Sequence, residues 1–445
     1  MLLWEKFKLR FMKDLLSKVV AFFKGRFSMR VVNTHVENLV NTHAKSLVDA
    51  CAENLVNACT VGKLKQVRLL FKENPKIDIN AVYVIKGKRY TLLQWAIKKN
   101  YPKIVQFLVD QPGIIILDHR TKDCDPPIYI AASQGRIEIM RILLSQQNIN
   151  VNSRSNKYCW TPLFVAAWHG NREIVELLLQ QPEIDVNADG SNALVGAAKR
   201  GHSNIIEILL QHPATKINEE DSLGWTALST AAYYGNKDVV EILVQQPEID
   251  VNAQLHYGSS PLSIAAWNKS AEIVKILLQH PNIDANLKDE SGRTPLHKAS
   301  QCGNSEIVKL LVNQPKIKLN EKDNRGATPL YIAAFDGHKD VVEILLQCST
   351  IDVNARNISD ETPLYAAAEN GWKEIIGLFI RHPKIDLNAK NKDGLTPLYI
   401  AAHWNDREIV EILAQQSGIN IEFALHTARI KGDQKALKLL EEYGS

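Results

Sequence analysis

The sequence has few cysteines and no long apolar segment. Its 445 residues include six cysteines, none of which forms a CxxC pair. This pattern excludes a disulfide framework and a cysteine zinc cluster, and it is typical of reduced intracellular thiols. No apolar run approaches the roughly 18–20 residues of a membrane-spanning helix. The N-terminal segment also lacks the apolar core of a secretory signal. We therefore expect a cytoplasmic protein.

Sequence motifs of catalysis are missing as well. The 13 histidines form no HExxH motif and no cluster with cysteine at metal-ligand spacing. Glycines stand at regularly spaced turn positions and not in a phosphate-binding loop. We expect a protein that is not an enzyme, with no metal, no cofactor and no small-molecule substrate.

Positive charge is concentrated near the N terminus. Residues 1–30 contain eight lysines and arginines against two acidic residues, whereas the remaining chain contains 45 basic and 47 acidic residues. A slightly acidic chain offers no basic track for nucleic-acid phosphates, so we do not expect nucleic-acid binding. The sequence predicts a local basic patch, better suited to an acidic partner segment, from Lys86, Lys88, Arg89, Lys98, Lys99, Lys199 and Arg200.

The N-terminal region, residues 1–53, begins with an amphipathic basic helix. Its apolar face consists of Trp4, Phe7, Phe11, Leu15, Val19 and Phe22. Three interpretations remain open. The helix caps the end of a repeat array, it contacts a membrane surface peripherally through residues 1–30 or serves as a targeting sequence, or it is a mobile tail.

A repeated pattern fills residues 54–445. A leucine or isoleucine anchor is followed by a small-residue pair at +3/+4, usually a glycine at +7, and a pair of large aliphatic residues near +14/+15. The spacings between anchors are 38, 35, 35, 31, then 34 six times, then 27 residues. A fixed period of 20–50 residues predicts a solenoid. The anchors are Leu55, Leu93, Ile128, Leu163, Leu194, Leu228, Leu262, Leu296, Leu330, Leu364, Leu398 and Leu425.

Each unit predicts a helix, a turn, a second helix and a protruding loop. In the segment TPLYIAAFDGHKDVVEILLQ, Thr328 and Pro329 begin the first helix. Gly337 supplies the turn. The aliphatic residues after it form the apolar face of the second helix, and asparagine, aspartate and glycine end the unit in a loop or hairpin finger.

This pattern resembles the ankyrin repeat family. The best copies are GRTPLHKASQCGNSEIVKLLV (292–312) and GATPLYIAAFDGHKDVVEILL (326–346). The resemblance implies an all-α solenoid of stacked antiparallel helix pairs with short β-hairpin or loop fingers, preceded by N-terminal helices. It implies about twelve repeats, with degenerate capping repeats at both ends.

Several repeats depart from the family pattern. Asn100, Lys269 and Asn405 replace the glycine at +7, where asparagine tolerates left-handed geometry better than lysine. The finger between Asn187 and Leu194 is short, and the finger from Asn80 to Leu93 is long and basic. We further predict that Trp95 is a core residue and that the tyrosines at +1 hydrogen-bond within their own repeat.

The resemblance also places the partner-binding surface. Family members bind proteins with their fingers and with the two variable positions before the +7 glycine. Aromatic residues occupy five of the ten such pairs, against 7% aromatic residues overall. Exposed aromatics anchor interfaces, although the alternative is that these rings simply pack against one another. The candidate partner-binding residues are Trp160, Trp168, His169, Lys199, Arg200, Trp225, Tyr233, Tyr234, Trp267, Asn268, Phe335, Asp336, His403 and Trp404.

We therefore expect a monomeric, non-catalytic scaffold or adaptor that binds another protein through a groove and its fingers. The alternative is a membrane-associated effector-type ankyrin protein of an intracellular microbe. Such a protein would dock through its basic N-terminal helix and bind a host protein.

Overall fold

A computed structural model describes residues 53–74, 77–115, 124–147, 149–188, 190, 192–221 and 223–444. The amphipathic face predicted for the N-terminal region, from Trp4 to Phe22, lies outside these residues. The described chain falls into two compact units that divide between Tyr158 and Cys159. Each unit is described by itself.

The first unit contains helix pairs and one β-hairpin. Residues 53–60 are helical. The elements that follow are α1 (Leu64–Glu73), β1 (Val82–Ile85), β2 (Lys88–Thr91), α2 (Leu92–Lys98), α3 (Pro102–Val109), α4 (Pro127–Ser133) and α5 (Ile137–Leu144).

The second unit is a succession of helix pairs. Its elements are α6 (Pro162–His169), α7 (Arg172–Leu179), α8 (Ala193–Arg200), α9 (Ser203–Gln211), α10 (Ala227–Tyr234), α11 (Lys237–Val244), α12 (Pro261–Trp267), α13 (Ala271–Leu278), α14 (Pro295–Gln301), α15 (Ser305–Val312), α16 (Pro329–Phe335), α17 (Lys339–Leu346), α18 (Pro363–Glu369), α19 (Lys373–Phe379), α20 (Pro397–His403), α21 (Arg407–Ala414), α22 (Ile421–Lys431) and α23 (Gln434–Glu441).

The start of each first helix follows from its sequence. Thr328 Oγ1 accepts a hydrogen bond from the backbone N–H of Tyr331 at 3.2 Å, and Pro329 occupies the first turn of α16. The threonine satisfies an N–H that would otherwise lack a partner, and the proline has no N–H to satisfy. In the short finger, Asn192 replaces threonine and accepts from the backbone N–H groups of Leu194 and Val195.

The core runs along the shared faces of the helices. The anchor leucines, the alanine pairs and one face of each second helix are buried, as Leu330, Ala333, Ala334, Val342 and Leu345 show for one repeat. Alanine pairs allow successive first helices to pack closely, while the branched residues fill the space between first and second helices. The all-α solenoid predicted from the sequence is confirmed.

Asparagine side chains join each finger to the next. Asn320 Nδ2 donates to the carbonyl of Thr350 at 2.8 Å, and its Oδ1 accepts from the N–H of Asp352 at 2.9 Å. Seven further asparagines make the same pair of bonds, namely Asn80, Asn187, Asn218, Asn252, Asn286, Asn354 and Asn388. This asparagine follows Asp-x in six of the eight repeats and Lys-x at Asn218 and Asn320, and it holds neighbouring repeats in register in all eight.

The fingers are mostly loops. In the described part of the chain, the strands belong to the long basic finger, where β1 and β2 pair antiparallel with Ile85 opposite Lys88. Lys86 and Gly87 between them have φ angles of 50° and 77°. Positive φ at both central residues is the two-residue hairpin geometry that matches strand twist.

The tyrosines at +1 correct one expectation. Tyr331 donates to Glu361 Oε2 at 2.8 Å, in the following finger, so the prediction of a hydrogen bond within the repeat is wrong. The phenol is long enough to extend past its own cap, and stacking brings the next repeat within its range. Trp95, in contrast, is 3% exposed, which confirms it as a core residue.

Candidate protein-binding groove

Most candidate partner-binding residues of the second unit lie at the C-terminal ends of first helices, and Trp160 and Trp225 lie in the fingers that precede two of these helices. Five aromatic side chains there are exposed over roughly half their surface, which is unusual for large rings in a folded chain. The exposed fractions are 47% for Tyr233, Tyr234 and Trp267, 44% for Phe335 and 61% for Trp404. We call the surface formed by these helix ends and the adjoining fingers the groove.

Trp160 and Trp168 form an aromatic cluster at the start of the groove. The ring centroid of Trp160 lies 4.8 Å from the ring centroid of Phe164 and 5.5 Å from that of Trp168. Phe164 is buried, whereas both tryptophans are half-buried. The finger residue Trp160 thus packs on the helix that follows it and leaves part of each indole accessible.

Two cations connect this cluster with the next repeats. Lys199 Nζ lies 5.2 Å from the ring centroids of both Trp168 and Tyr234, and Arg200 lies 5.5 Å from Trp168. A cation over an aromatic face is held by the ring quadrupole. Three successive repeats are therefore joined along this face by a ring, a cation and a second ring.

The next part of the groove is built from tyrosines. Trp225 packs edge-on against Tyr233 at 5.2 Å, and Tyr233 against Tyr234 at 5.1 Å. Asn268 Nδ2 donates to the backbone carbonyl of Tyr233 at 2.7 Å. Asn268 consequently fixes the end of α10, while its neighbour Trp267 remains exposed.

A cavity of about 300 Å³ opens between these rings. Trp225, Tyr233, Tyr257 and Trp267 line it, and Lys298 Nζ lies 5.6 Å from the Trp267 centroid. Tyr257, in a finger, is 74% exposed. It was missed in the sequence analysis because it stands three residues before the helix cap, outside the positions that the family pattern marks.

The charged floor of this cavity is fixed by buried carboxylates. Lys298 Nζ lies 2.6 Å from Asp289, and Arg293 Nε lies 3.2 Å from Asp323. Both aspartates are almost fully buried. Arg293 also donates to Gln301 Oε1 at 2.7 Å, so the cationic groups are held in place before any partner arrives.

A second cavity, of about 340 Å³, surrounds Phe335 and Asp336. Tyr331, Ile358 and Arg325 line it too, and Tyr331 stacks with Phe335 at 6.3 Å. Burial raises the pKa of the Asp336 carboxyl. This cavity pairs apolar walls with a carboxylate and with two arginines, since Arg293 lines both cavities.

The last candidate pair is His403 and Trp404. Their rings meet edge-on at 5.2 Å, and His403 Nδ1 lies 2.6 Å from Asp433 Oδ2. The histidine is thereby held by the following repeat, and Trp404 is the more exposed member. At the opposite end, His169 is exposed, and its pKa is lowered by partial burial and by Arg200 and His202.

The carbonyl groups under these pairs are satisfied by the next repeat. His202 Nε2 lies 3.2 Å from the Trp168 carbonyl, His338 Nε2 lies 2.9 Å from that of Gln301, and Trp372 Nε1 lies 2.9 Å from that of Phe335. The backbone at these helix ends is thus stabilised by side chains of the next repeat. The aromatic rings of the groove point outward.

The described residues contain no group of three or more histidine, cysteine or acidic side chains placed to hold a metal ion. Burial raises the pKa of the Cys59 and Cys124 thiols to about 12, which keeps both protonated and unreactive. In the same part of the chain, no helix is long and apolar enough to cross a membrane.

A comparison with protein-family models agrees with this architecture. The family described as ankyrin repeats (3 copies) matches residues 114–189, 182–255, 262–357 and 352–424. No curated protein matches the sequence. A solved structure that it resembles is the ankyrin repeat domain of Bcl-3, described as a unique member of the IkappaB protein family. The two are 24% identical, and the match covers 51% of this chain and 99% of that chain with a TM-score of 0.45. Ankyrin repeats are protein–protein interaction modules. The family model matches more than half of the sequence. The chain belongs to the ankyrin repeat family.

Proposed function

We propose that this protein is a non-catalytic scaffold that holds a partner protein in the groove of residues 159–445, with the fingers adding polar contacts. The observation that carries this proposal is the set of half-exposed aromatic rings at equivalent helix ends of several repeats. Water-exposed rings contribute little to stability, whereas such rings are the side chains that anchor protein interfaces.

The groove is organised in advance of binding. Trp168, Lys199 and Tyr234 hold one another, and Trp267 lies under Lys298. Side chains that are already ordered lose little conformational entropy when a partner covers them. The packing of these rings on one another therefore supports binding, because it presents them in a fixed arrangement.

The two cavities suggest the chemistry of the partner. Each has room for a bulky apolar side chain, and cationic groups line both, with Arg293 common to the two. We infer a partner surface that inserts two apolar side chains, with a carboxylate beside the first.

The experiment is partner capture by a groove variant. Trp168→Ala, Tyr233→Ala and Trp267→Ala are combined, and co-purifying proteins are identified by mass spectrometry. Proteins retained by the wild type are expected to be lost, with unchanged far-ultraviolet circular dichroism, because the three rings lie on the surface and not in the helical core.

A matched control removes three exposed apolar side chains outside the groove, through Leu69→Ala, Val84→Ala and Ile430→Ala, which are 51%, 72% and 71% exposed in the native protein. This variant is expected to keep the partners. If the folded groove variant retains the same partners as the wild type, the groove is not the binding surface.

A further inference from the structure

We propose that the first unit carries a separate site for an anionic peptide segment, in a pocket lined by five cationic side chains. These are Lys86, Lys88, Lys98, Lys99 and Arg136, and the cavity that they line has a volume of about 410 Å³. We call it the basic pocket. It is independent of the groove and of the partner proposed for the groove.

The fold brings these cations together from three elements. Lys86 lies in the hairpin turn, and Lys88 faces Ile85 across the hairpin. Lys98 and Lys99 end helix α2, where the negative end of the helix dipole favours cations. Arg136 immediately precedes α5. Residues distant in sequence thus converge because the hairpin folds back over its own repeat and the next repeat, with Arg136, stacks beside it.

Among the described residues that line the basic pocket there is no aspartate or glutamate. Arg136 Nη2 contacts the Gln134 amide oxygen at 3.4 Å, but its Nε is buried and has no hydrogen-bond partner among the described residues. A buried N–H without a partner is costly, and like charges in one cavity repel. An anion bound in the pocket would reduce the repulsion between these charges.

The part of the sequence that contains the basic pocket also has a net positive charge. Residues 31–158 contain 18 basic and 10 acidic residues, whereas residues 159–445 contain 27 and 37. The near-neutral average over the repeats therefore conceals a basic first part and an acidic second part. The excess of basic over acidic residues in this part of the sequence attracts anionic partners from a distance.

An anionic peptide fits this pocket better than a nucleic acid does. Tyr90 and Trp95 in the lining are each 3% exposed. Lys98 lies 4.9 Å from the Tyr90 ring, and Lys99 lies 5.0 Å from the Trp95 ring. No open ring face is left there for a base to stack upon, and single-stranded nucleic acids depend on such stacking.

A membrane surface fits less well for a geometric reason. The exposed apolar residues of the hairpin are Val82 and Val84. Because side chains alternate along a strand, these two lie on the face opposite Ile85 and Lys88. A bilayer that contacted the apolar face would not meet the pocket cations. We therefore assign carboxylate or phosphate groups on a peptide as the ligand.

The test is fluorescence anisotropy with the full-length protein at about 0.15 M salt. Three labelled peptides of equal length are compared: one with repeated glutamates, one with phosphoserines at those positions and one with glutamines. Saturable binding of the glutamate or the phosphoserine peptide, but not of the glutamine peptide, is expected. The difference between the first two identifies the preferred anion.

Variants locate the site. Lys98→Gln with Arg136→Gln is expected to weaken binding at least about tenfold, since charge-assisted hydrogen bonds are lost. Lys86→Gln with Lys88→Gln, on the hairpin, tests the same pocket should the first variant unfold. The control is Lys65→Gln with Lys103→Gln, which removes equal charge from exposed positions on α1 and α3 and is expected to change binding less than about twofold.

Three results would overturn the proposal. In the first, neither anionic peptide binds. In the second, the control weakens binding as much as the pocket variants do, which indicates attraction by net charge alone. In the third, oligothymidylate or phosphatidylserine vesicles bind more tightly than the peptides and lose binding in the pocket variants.

Discussion

His297 Nε2 lies 3.1 Å from the backbone carbonyl of Ala327 in the next repeat. Its Nδ1 accepts a hydrogen bond from the backbone N–H of Thr294 at 3.1 Å. A neutral imidazole with its proton on Nε2 satisfies both neighbours at once. A second proton on Nδ1 would point at the Thr294 N–H, so the folded repeat opposes protonation of this ring.

Folding stability should therefore depend on His297 in acid. Burial lowers the pKa of His297 to about 4, whereas an unfolded histidine titrates near its model value of 6.5. Between these values the unfolded chain binds more protons, so stability is retained above the upper value and is lost as pH falls toward 4. The loss amounts to about 3 kcal/mol between pH 7 and pH 4.

The substitution His297→Gln isolates this effect. Gln94 occupies the same repeat position, accepts from the Thr91 N–H at 2.9 Å and donates to the Asp125 carbonyl at 3.1 Å. Glutamine thus makes the same bridge without titrating. Urea unfolding at several pH values should show a shallower acid decline in the variant, and parallel curves would assign the decline to other groups.

Gly337 is predicted to tolerate no side chain. Its φ is 80°, and a Cβ there would lie 2.6 Å from the indole of Trp372. Displacement of that ring would also break the hydrogen bond from Trp372 to the Phe335 carbonyl. Gly235, with a φ of 74° and nothing within 4 Å of its Cβ position, is the matched control.

In both variants, an alanine in the left-handed conformation lowers the stability of the folded protein by roughly 1 kcal/mol. Only Gly337→Ala also overpacks the space beside Trp372. Its free energy of unfolding, measured with denaturant, should therefore be lower than that of Gly235→Ala by a further 1–3 kcal/mol, approximately. Equal losses at the two positions would show that Trp372 moves aside freely.

Replacement of Lys269 by glycine is predicted to stabilise the protein. Lys269 is exposed, takes the place of the usual glycine and has a φ of 60°. Lys269→Gly removes the left-handed penalty but increases the entropy of the unfolded chain, for a net stabilisation of roughly 0.5–1 kcal/mol. Asn405→Gly, with a φ of 58°, should gain less because asparagine tolerates this conformation. Thermal unfolding of both variants decides, and an equal or larger gain at Asn405 contradicts this explanation.

The repeat pattern predicted most of the fold because its signals are local. Thr328 caps a helix, Pro329 begins it and Gly337 ends its turn, and each depends on residues within a few positions. The conformation of Lys269 is local in the same sense. The +7 turn position requires a left-handed backbone even where the residue is not glycine.

Contacts between repeats could not be predicted in this way. The Tyr331–Glu361 hydrogen bond and the exposed Tyr257 depend on how far one repeat advances on the next, which no local motif encodes. The basic pocket was also only partly visible in the sequence. The sequence shows the charges of its hairpin, but Arg136 joins them through stacking alone.

Stacking itself should depend on the asparagine that joins neighbouring fingers. Asn320 makes both of its side-chain hydrogen bonds with the backbone of the next finger, at Thr350 and Asp352. Asn320→Ala removes the two bonds, at a cost of about 1–2 kcal/mol. Because each repeat is stabilised chiefly by its neighbours, the loss should appear at that interface. Asn313→Ala, at an exposed helix end, is the control.

Hydrogen exchange provides the measurement. In the Asn320 variant, exchange should accelerate at residues 350–352, since the Asp352 N–H loses its acceptor, and it should change little two repeats away. The Asn313 variant should match the wild type throughout. If exchange accelerates equally in every repeat, the asparagine stabilises the array as a whole, and the repeats do not depend on this bond for their individual register.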